Sequence, residues 1–299
     1  GVIIRNDTGA QIGTGTIALA AQGHNSFMLT DATSGFPITA AKRGTVEFDT
    51  PSGGQIGVLG LRANGAALTS LPVLANVGTS GGTMAQVASG GGWQTLFTLV
   101  NTGTSSATAT LNFFDNTGSP LSLPLSFPQG GTSVQESSVS QTIPAGATLL
   151  ISTAGDSAVN SVTGSAQLTT SGNVSGFAIF QESGQEAVVP LEVSRVNSYT
   201  LVFDNTNNLA TGIALANDSA QQASVPVTLR DATGAALAAT TVVLPANGHV
   251  SEMLTDLFPA AVNLSGTVEF DTPSGGQIAA LGIRATPANA FTTIPAMTQ

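Results

Sequence analysis

Gly44-Thr-Val-Glu-Phe-Asp-Thr-Pro-Ser-Gly-Gly-Gln-Ile56 recurs without a change as Gly266–Ile278. Thirteen identical residues in a chain of 299 mark an internal duplication. A duplication sets the register in which every other motif is read. A residue kept in every copy belongs to the scaffold, and one confined to a single copy is a candidate for something special. The stretch itself reads as a strand running into a turn: Thr-Val-Glu-Phe alternates, and Asp-Thr-Pro-Ser-Gly-Gly gathers turn residues.

The match extends outward. Ile4–Ala10 parallels Leu229–Ala235, Gln22-Gly23-His24 parallels Asn247-Gly248-His249, and Ser70-Leu71-Pro72 parallels Thr293-Ile294-Pro295. A third, divergent copy lies between the two. Thr98–Thr102 answers to Ala214–Asp218, Phe114–Gly118 to Arg230–Gly234, Ile143–Gly146 to Leu244–Asn247, and Thr163–Ala166 to Ser265–Val268. Asp115 lies 116 positions before Asp231, but Pro144 only 101 before Pro245, so the middle copy carries an insertion around Ser119–Gln141. The copies are expected at 1–75, 84–192 and 198–299, with linkers at Ala75–Thr83 and about Leu191–Ser198. Gly9 aligns with Gly118 and Gly234, so copy one is read as lacking roughly 26 residues, about two strands, at its front. Those strands are supplied by a neighbouring subunit, or the chain is processed or part of a longer array.

Short runs dominate: Gly15–Ala20, Gly44–Phe48, Ile56–Leu61, Thr95–Val100, Thr108–Phe113, Thr148–Ile151, Tyr199–Asp204, Thr211–Asn217, Val225–Leu229 and Thr240–Leu244. Turn clusters separate them, which predicts an all-β chain of tandem antiparallel β-sandwiches. Thr30-Asp31 and Leu254–Phe258 are expected to form short helical turns.

Seven Lys+Arg stand against 17 Asp+Glu, a net charge of −10 that disfavours nucleic acid and anionic lipid. No run approaches the ~18–20 apolar residues of a membrane span. There is no cysteine, and low charge with Ser/Thr-rich repeats points to an extracellular or cell-surface protein. The Val-Asn-Thr and Ala-Asn-Asp strand ends, the Asp-x-Thr-Gly hairpins and the Pro-Ala-Gly/Asn turns resemble the immunoglobulin-like or fibronectin-like repeats of bacterial secreted and surface proteins. That resemblance implies adhesive, spacer or fibre-forming work and carries over no catalytic residue.

Candidate chemistry is thin. Asp7-Thr8-Gly9 spells an aspartic-protease tripeptide, yet the other copies keep only its turn composition. The two histidines, His24 and His249, are equivalent turn residues, too few for a histidine metal site. Glu47 with Asp49, and Glu269 with Asp271, share one strand face and are Ca²⁺ or acid–base candidates. They occur together with Arg5 and Arg62, or Arg230 and Arg284, which reads as a structural ionic cluster. Asn6, Asn173, Asn217 and Asn263 begin glycosylation sequons. Trp93 or Tyr199 could stack on a sugar ring. The chain is read as a non-enzyme without a cofactor. Its expected partner is itself: a homopolymeric fibre with Val2, Ile3, Ile4, Ile17 and Leu19 at the subunit contact. The alternatives are a surface module binding glycans, and an accessory region of an enzyme.

Overall fold

The computed structural model describes residues 1–65, 67–74, 81–193, 196–288 and 290–299. Parts of both expected linkers, 75–80 and 194–195, lie outside the described residues. The chain is all-β, built of antiparallel pairs, with single helical turns such as Leu254–Leu257.

The first segment holds β1 (Val2–Asn6), β2 (Gln11–Gly15) and β3 (Gly44–Phe48) in a sheet of order β2-β1-β3, and a separate hairpin of β4 (Gly60–Asn64) and β5 (Ala67–Leu71). The middle segment holds β6 (Gly82–Ser89), β7 (Gln94–Asn101), β8 (Ala107–Asp115), β9 (Leu123–Phe127), β10 (Thr132–Glu136), β11 (Ser138–Ile143), β12 (Thr148–Thr153), β13 (Val162–Thr170), β14 (Val174–Glu182) and β15 (Gln185–Pro190). They form sheets of order β11-β8-β13-β6 and β10-β9-β12-β7-β14-β15. The last segment holds β16 (Ser198–Asp204), β17 (Ala210–Asn217), β18 (Ala223–Asp231), β19 (Ala236–Leu244), β20 (His249–Met253), β21 (Ser265–Asp271), β22 (Ile278–Ala285), β23 (Phe291–Ile294) and β24 (Met297–Thr298). Its sheets run β19-β18-β21-β16-β24 and β20-β17-β22-β23.

The middle and last segments share one strand order. β11-β8-β13-β6 corresponds to β19-β18-β21-β16, and β12-β7-β14-β15 to β20-β17-β22-β23. The insertion is the β9–β10 hairpin, added outside β12 through the pair Ser152↔Ser126. Alternation explains each sheet. On β18, Ala223, Val225, Val227 and Leu229 are buried while Ser224, Pro226 and Thr228 point away. The buried faces of paired sheets meet: Tyr199, Leu201 and Phe203 pack with Ile213, Leu215 and Ile278, and Phe97 lies 5.4 Å from Phe113 between ring centroids.

The first segment departs from the expected strands for a physical reason. Gly15–Ala20 is not a strand; β2 ends at Gly15, where its pairing with β1 stops at Val2↔Gly15. Ile56–Leu61 becomes a strand only from Gly60, where β5 begins to pair with it. The same residues in the last segment run as β22 from Ile278 because β17 pairs along their whole length. Thr30-Asp31 forms no helix; the helical turn there is Pro37–Thr39, the counterpart of Pro259–Ala261. Among the described residues, the first segment has no strand in the positions of β16 and β17, so its two sheet fragments stay apart. Ile56 is 41% exposed where Ile278, in an identical stretch, is 4%.

Candidate assembly interface

Three turns of one design stand at Asn6–Gly9, Asp115–Gly118 and Asp231–Gly234. In each, the first side-chain oxygen accepts from the N–H two residues on, from the Thr hydroxyl beside it and from the N–H four residues on, at 2.7–3.2 Å. The fourth residue is Gly at φ 85, 82 and 87, a conformation a Cβ would strain. These bonds hold the Asp231 carboxyl below its ordinary range, the Thr233 hydroxyl contributing most. At Asp115 burial pushes the other way, but hydrogen bonds from Thr117, Ser119 and Gly118 outweigh it.

A second set of three turns forms their seats: Ala20–Gly23, Pro144–Ala147 and Pro245–Gly248. Each is closed by an N–H to C=O bond from its fourth residue to its first, at 2.8, 3.1 and 2.9 Å. The third residue is left-handed in every case: Gln22 at φ 60, Gly146 at 69 and Asn247 at 55. A buried asparagine braces two of the seats. Asn101 Nδ2 donates to Ile143 and Ser105 carbonyls, and Asn217 Nδ2 to Pro245 and Gln221 carbonyls, all within 2.7–2.8 Å.

Turn meets seat twice in the same way. The first segment's turn lies on the middle segment's seat: Thr148 N–H donates to the Asp7 carbonyl at 3.0 Å, and a Cβ on Gly9 would fall 2.4 Å from Ala145 O. The middle segment's turn lies on the last segment's seat: His249 N–H donates to the Asn116 carbonyl at 3.4 Å, and a Cβ on Gly118 would fall 1.8 Å from Ala246 O. Only glycine allows the approach. The segments therefore follow one another by one repeated contact.

The second joint is closely packed. Ala214, Ala216, Ala279 and Leu281, on the outer faces of β17 and β22, belong to the same buried cluster as the middle segment's core, with β6 laid across them. His249 is sealed inside. Its Nδ1 meets Asn116 Oδ1 and its Nε2 meets Gln86 Oε1, both at 2.9 Å. Burial pushes its pKa down to about 4. A neutral ring donates once and accepts once, so one of the two amides must turn its NH₂ toward the ring. Trp93 stacks on Phe291 across the same joint, with Phe180 completing the group, and the Thr293 hydroxyl donates to the Val188 carbonyl at 2.6 Å. The sequence marked both histidines as turn residues; the sealing role of His249 has no local signal, because Gln86 and Asn116 are remote in the chain.

The anticipated ionic cluster divides. Arg5–Glu47 at 3.7 Å and Arg230–Glu269 at 3.5 Å are the same cross-strand pair in two segments. Arg62 is in a different sheet from Glu47. It holds Glu186 of the middle segment at 3.3 Å, as an ion contact without the alignment of a hydrogen bond, while Asn64 Nδ2 reaches the other oxygen at 3.2 Å. The charge of Arg284 acts on Asp204, whose carboxyl is lowered first by the Thr206 hydroxyl and backbone. Among the described residues no three His, Cys, Asp or Glu side chains gather as a metal group. Glu269 and Asp271 lie on β21 and Glu47 on β3, but Asp49, expected to share a strand face with Glu47, follows the end of β3.

Of the expected contact residues, Val2 and Ile4 are buried within the chain, Ile3 and Ile17 are half-buried, and Leu19 is exposed. Of the sequons, Asn263 is exposed and Asn6 and Asn173 half-buried. Asn217 is a correction: it is fully buried with its Nδ2 committed to two carbonyls, so the folded chain offers no acceptor there. Tyr199 is fully buried and Trp93 half-buried in its stack. No helix of the described residues is long and apolar enough to cross a membrane. No protein-family model, curated protein or solved structure matches the chain.

Proposed function

We propose that this chain is a structural subunit of an extracellular or cell-surface fibre, made of immunoglobulin-like repeats stacked along one direction. One observation carries the reading: the same turn-on-seat joint occurs twice between successive segments. A contact that joins unlike ends and does not close on itself generates a linear array. The first segment supports a subunit contact as well. Leu29 is 40% exposed where its counterpart Leu254 is fully buried, and Leu59 is 70% exposed where Leu281 is 1%. A neighbour that covers the first segment removes that apolar surface from water.

The glycan-binding alternative asks for an exposed aromatic platform, and the two residues nominated for it are spent on packing. Negative-stain microscopy of the purified chain tests the proposal. Filaments with a regular axial repeat are expected. Dispersed monomers at all concentrations, with affinity for a polysaccharide, would refute it.

A further inference from the structure

The joint has two complementary halves, and each occurs three times, but only two pairs meet. The Asp231–Gly234 turn has nothing within 4 Å of the position a Gly234 Cβ would take. The Ala20–Gly23 seat is equally unfilled: its residues and His24 are exposed, though the turn already has the closed, left-handed geometry of the filled seats. Beside the free turn lies an open cleft of about 440 Å³, lined by Val202, Asp204, Asp231, Ala232, Gly234 and Thr267 among others.

The filled joint says what such a cleft receives. His249 sits between Asn116 and Gln86. Asn116 corresponds to Ala232 in the turn. Gln86 precedes Val87, which pairs with Gly164; Val202 precedes Phe203, which pairs with Gly266. Gly164 and Gly266 are equivalent, as are Ala166 and Val268, so the bulged pair Ala85-Gln86 stands where β16 has the single residue Val202. The cleft between Ala232 and Val202 is thus the His249 slot, empty of side chain, and Val202 at its wall is 50% exposed. The residue of the free seat equivalent to His249 is His24. Leu59, the counterpart of the joint residue Leu281, is exposed on the same segment.

We propose that the free turn of one chain docks on the free seat of a second copy of the same chain. The Asp231–Gly234 turn lies on Ala20–Gly23, the His24 N–H donates to the Ala232 carbonyl, and the His24 ring enters the cleft between Ala232 and Val202. This contact continues the internal joint across the chain boundary. It rests on the fibre reading and names the surfaces that make the fibre.

The chain has no cysteine, so disulfide trapping is clean. The variant carrying His24→Cys and Ala232→Cys is oxidised and run on a denaturing gel beside a control carrying Asn116→Cys and His249→Cys, whose crosslink stays within one chain. A ladder of dimers, trimers and higher multimers is expected from the first, and a crosslinked monomer from the control. Filaments in the microscope without a ladder would overturn this joint and leave the fibre reading standing. Neither filaments nor a ladder would overturn both. Gly234→Ala supplies the second arm: the monomer stays folded by circular dichroism, and self-association falls at least tenfold because the new methyl strikes the seat carbonyl. Unchanged association of that variant would also overturn the joint.

Discussion

Gly118 and Gly234 make a matched pair on which the joint can be weighed. They occupy the fourth position of the same turn at φ 82 and 87, so alanine strains both backbones alike, by about 1–2 kcal/mol. Their surroundings differ. A Cβ at Gly234 meets nothing within 4 Å, whereas one at Gly118 lies 1.8 Å from Ala246 O and 3.2 Å from Gly248 N. To reach ordinary contact the joint must open by more than an ångström. That gap forfeits much of the dispersion between β6 and the Ala214, Ala216, Ala279 and Leu281 face, and it lets water toward His249. Overpacking of this kind costs about 3 kcal/mol. Gly118→Ala should therefore lose about 3 kcal/mol more than Gly234→Ala. Urea unfolding of both dilute monomeric variants, followed by far-ultraviolet dichroism, measures the difference. Gly118→Ala should also speed amide exchange at His249. Equal losses for the two variants would refute the claim that turn and seat are pressed together.

Acid should loosen the same joint. Burial lowers the His249 pKa from its ordinary value near 6.5 to about 4, so between those values the unfolded chain binds the proton and the folded one does not. Stability from this residue is complete above pH 6.5 and falls as pH drops toward 4, by about 3 kcal/mol in all; His249→Thr, which takes the residue of the other joint, should flatten that slope in melts between pH 4 and 7. Arg62→Ala leaves the fully buried Glu186 carboxylate without its cation. Because Arg62 is itself a third exposed, the loss should be about 2 kcal/mol, with protease cutting faster within residues 1–74. Asn217→Ala strips the Pro245 and Gln221 carbonyls of their donor and should cost about 2–3 kcal/mol, and mass spectrometry of chain made in a glycosylating host should find Asn217 unmodified.

Much of the architecture was legible because strands and turns are local. Gly44–Phe48 is β3 to the residue, and Tyr199–Asp204 and Thr211–Asn217 lie within β16 and β17. The turn at Asp231–Gly234 was legible too, since its hydrogen bonds span at most four residues. Where expectation failed, pairing had decided. Ile56–Leu61 has the pattern of a strand, yet a strand needs a neighbour for its N–H and C=O groups, and only the portion from Gly60 has one. Arg62 and Glu47 recur together along the chain, but co-occurrence carries no information about which sheet each enters, and the actual partner, Glu186, belongs to the next segment.

The sequence by itself determined the repeats, their register, the all-β class and the three left-handed glycines, because duplication and backbone sterics are written residue by residue. Tertiary structure alone decided that Asx-Thr-Gly turn and Pro-Ala seat are two halves of one contact. Turn and seat also come together from different segments, over 133 residues in the pair of Asn116 with His249. No periodicity in the chain encodes which surfaces meet. That follows from shape: a glycine without a Cβ, a carbonyl pressed against it, and an imidazole with room to enter.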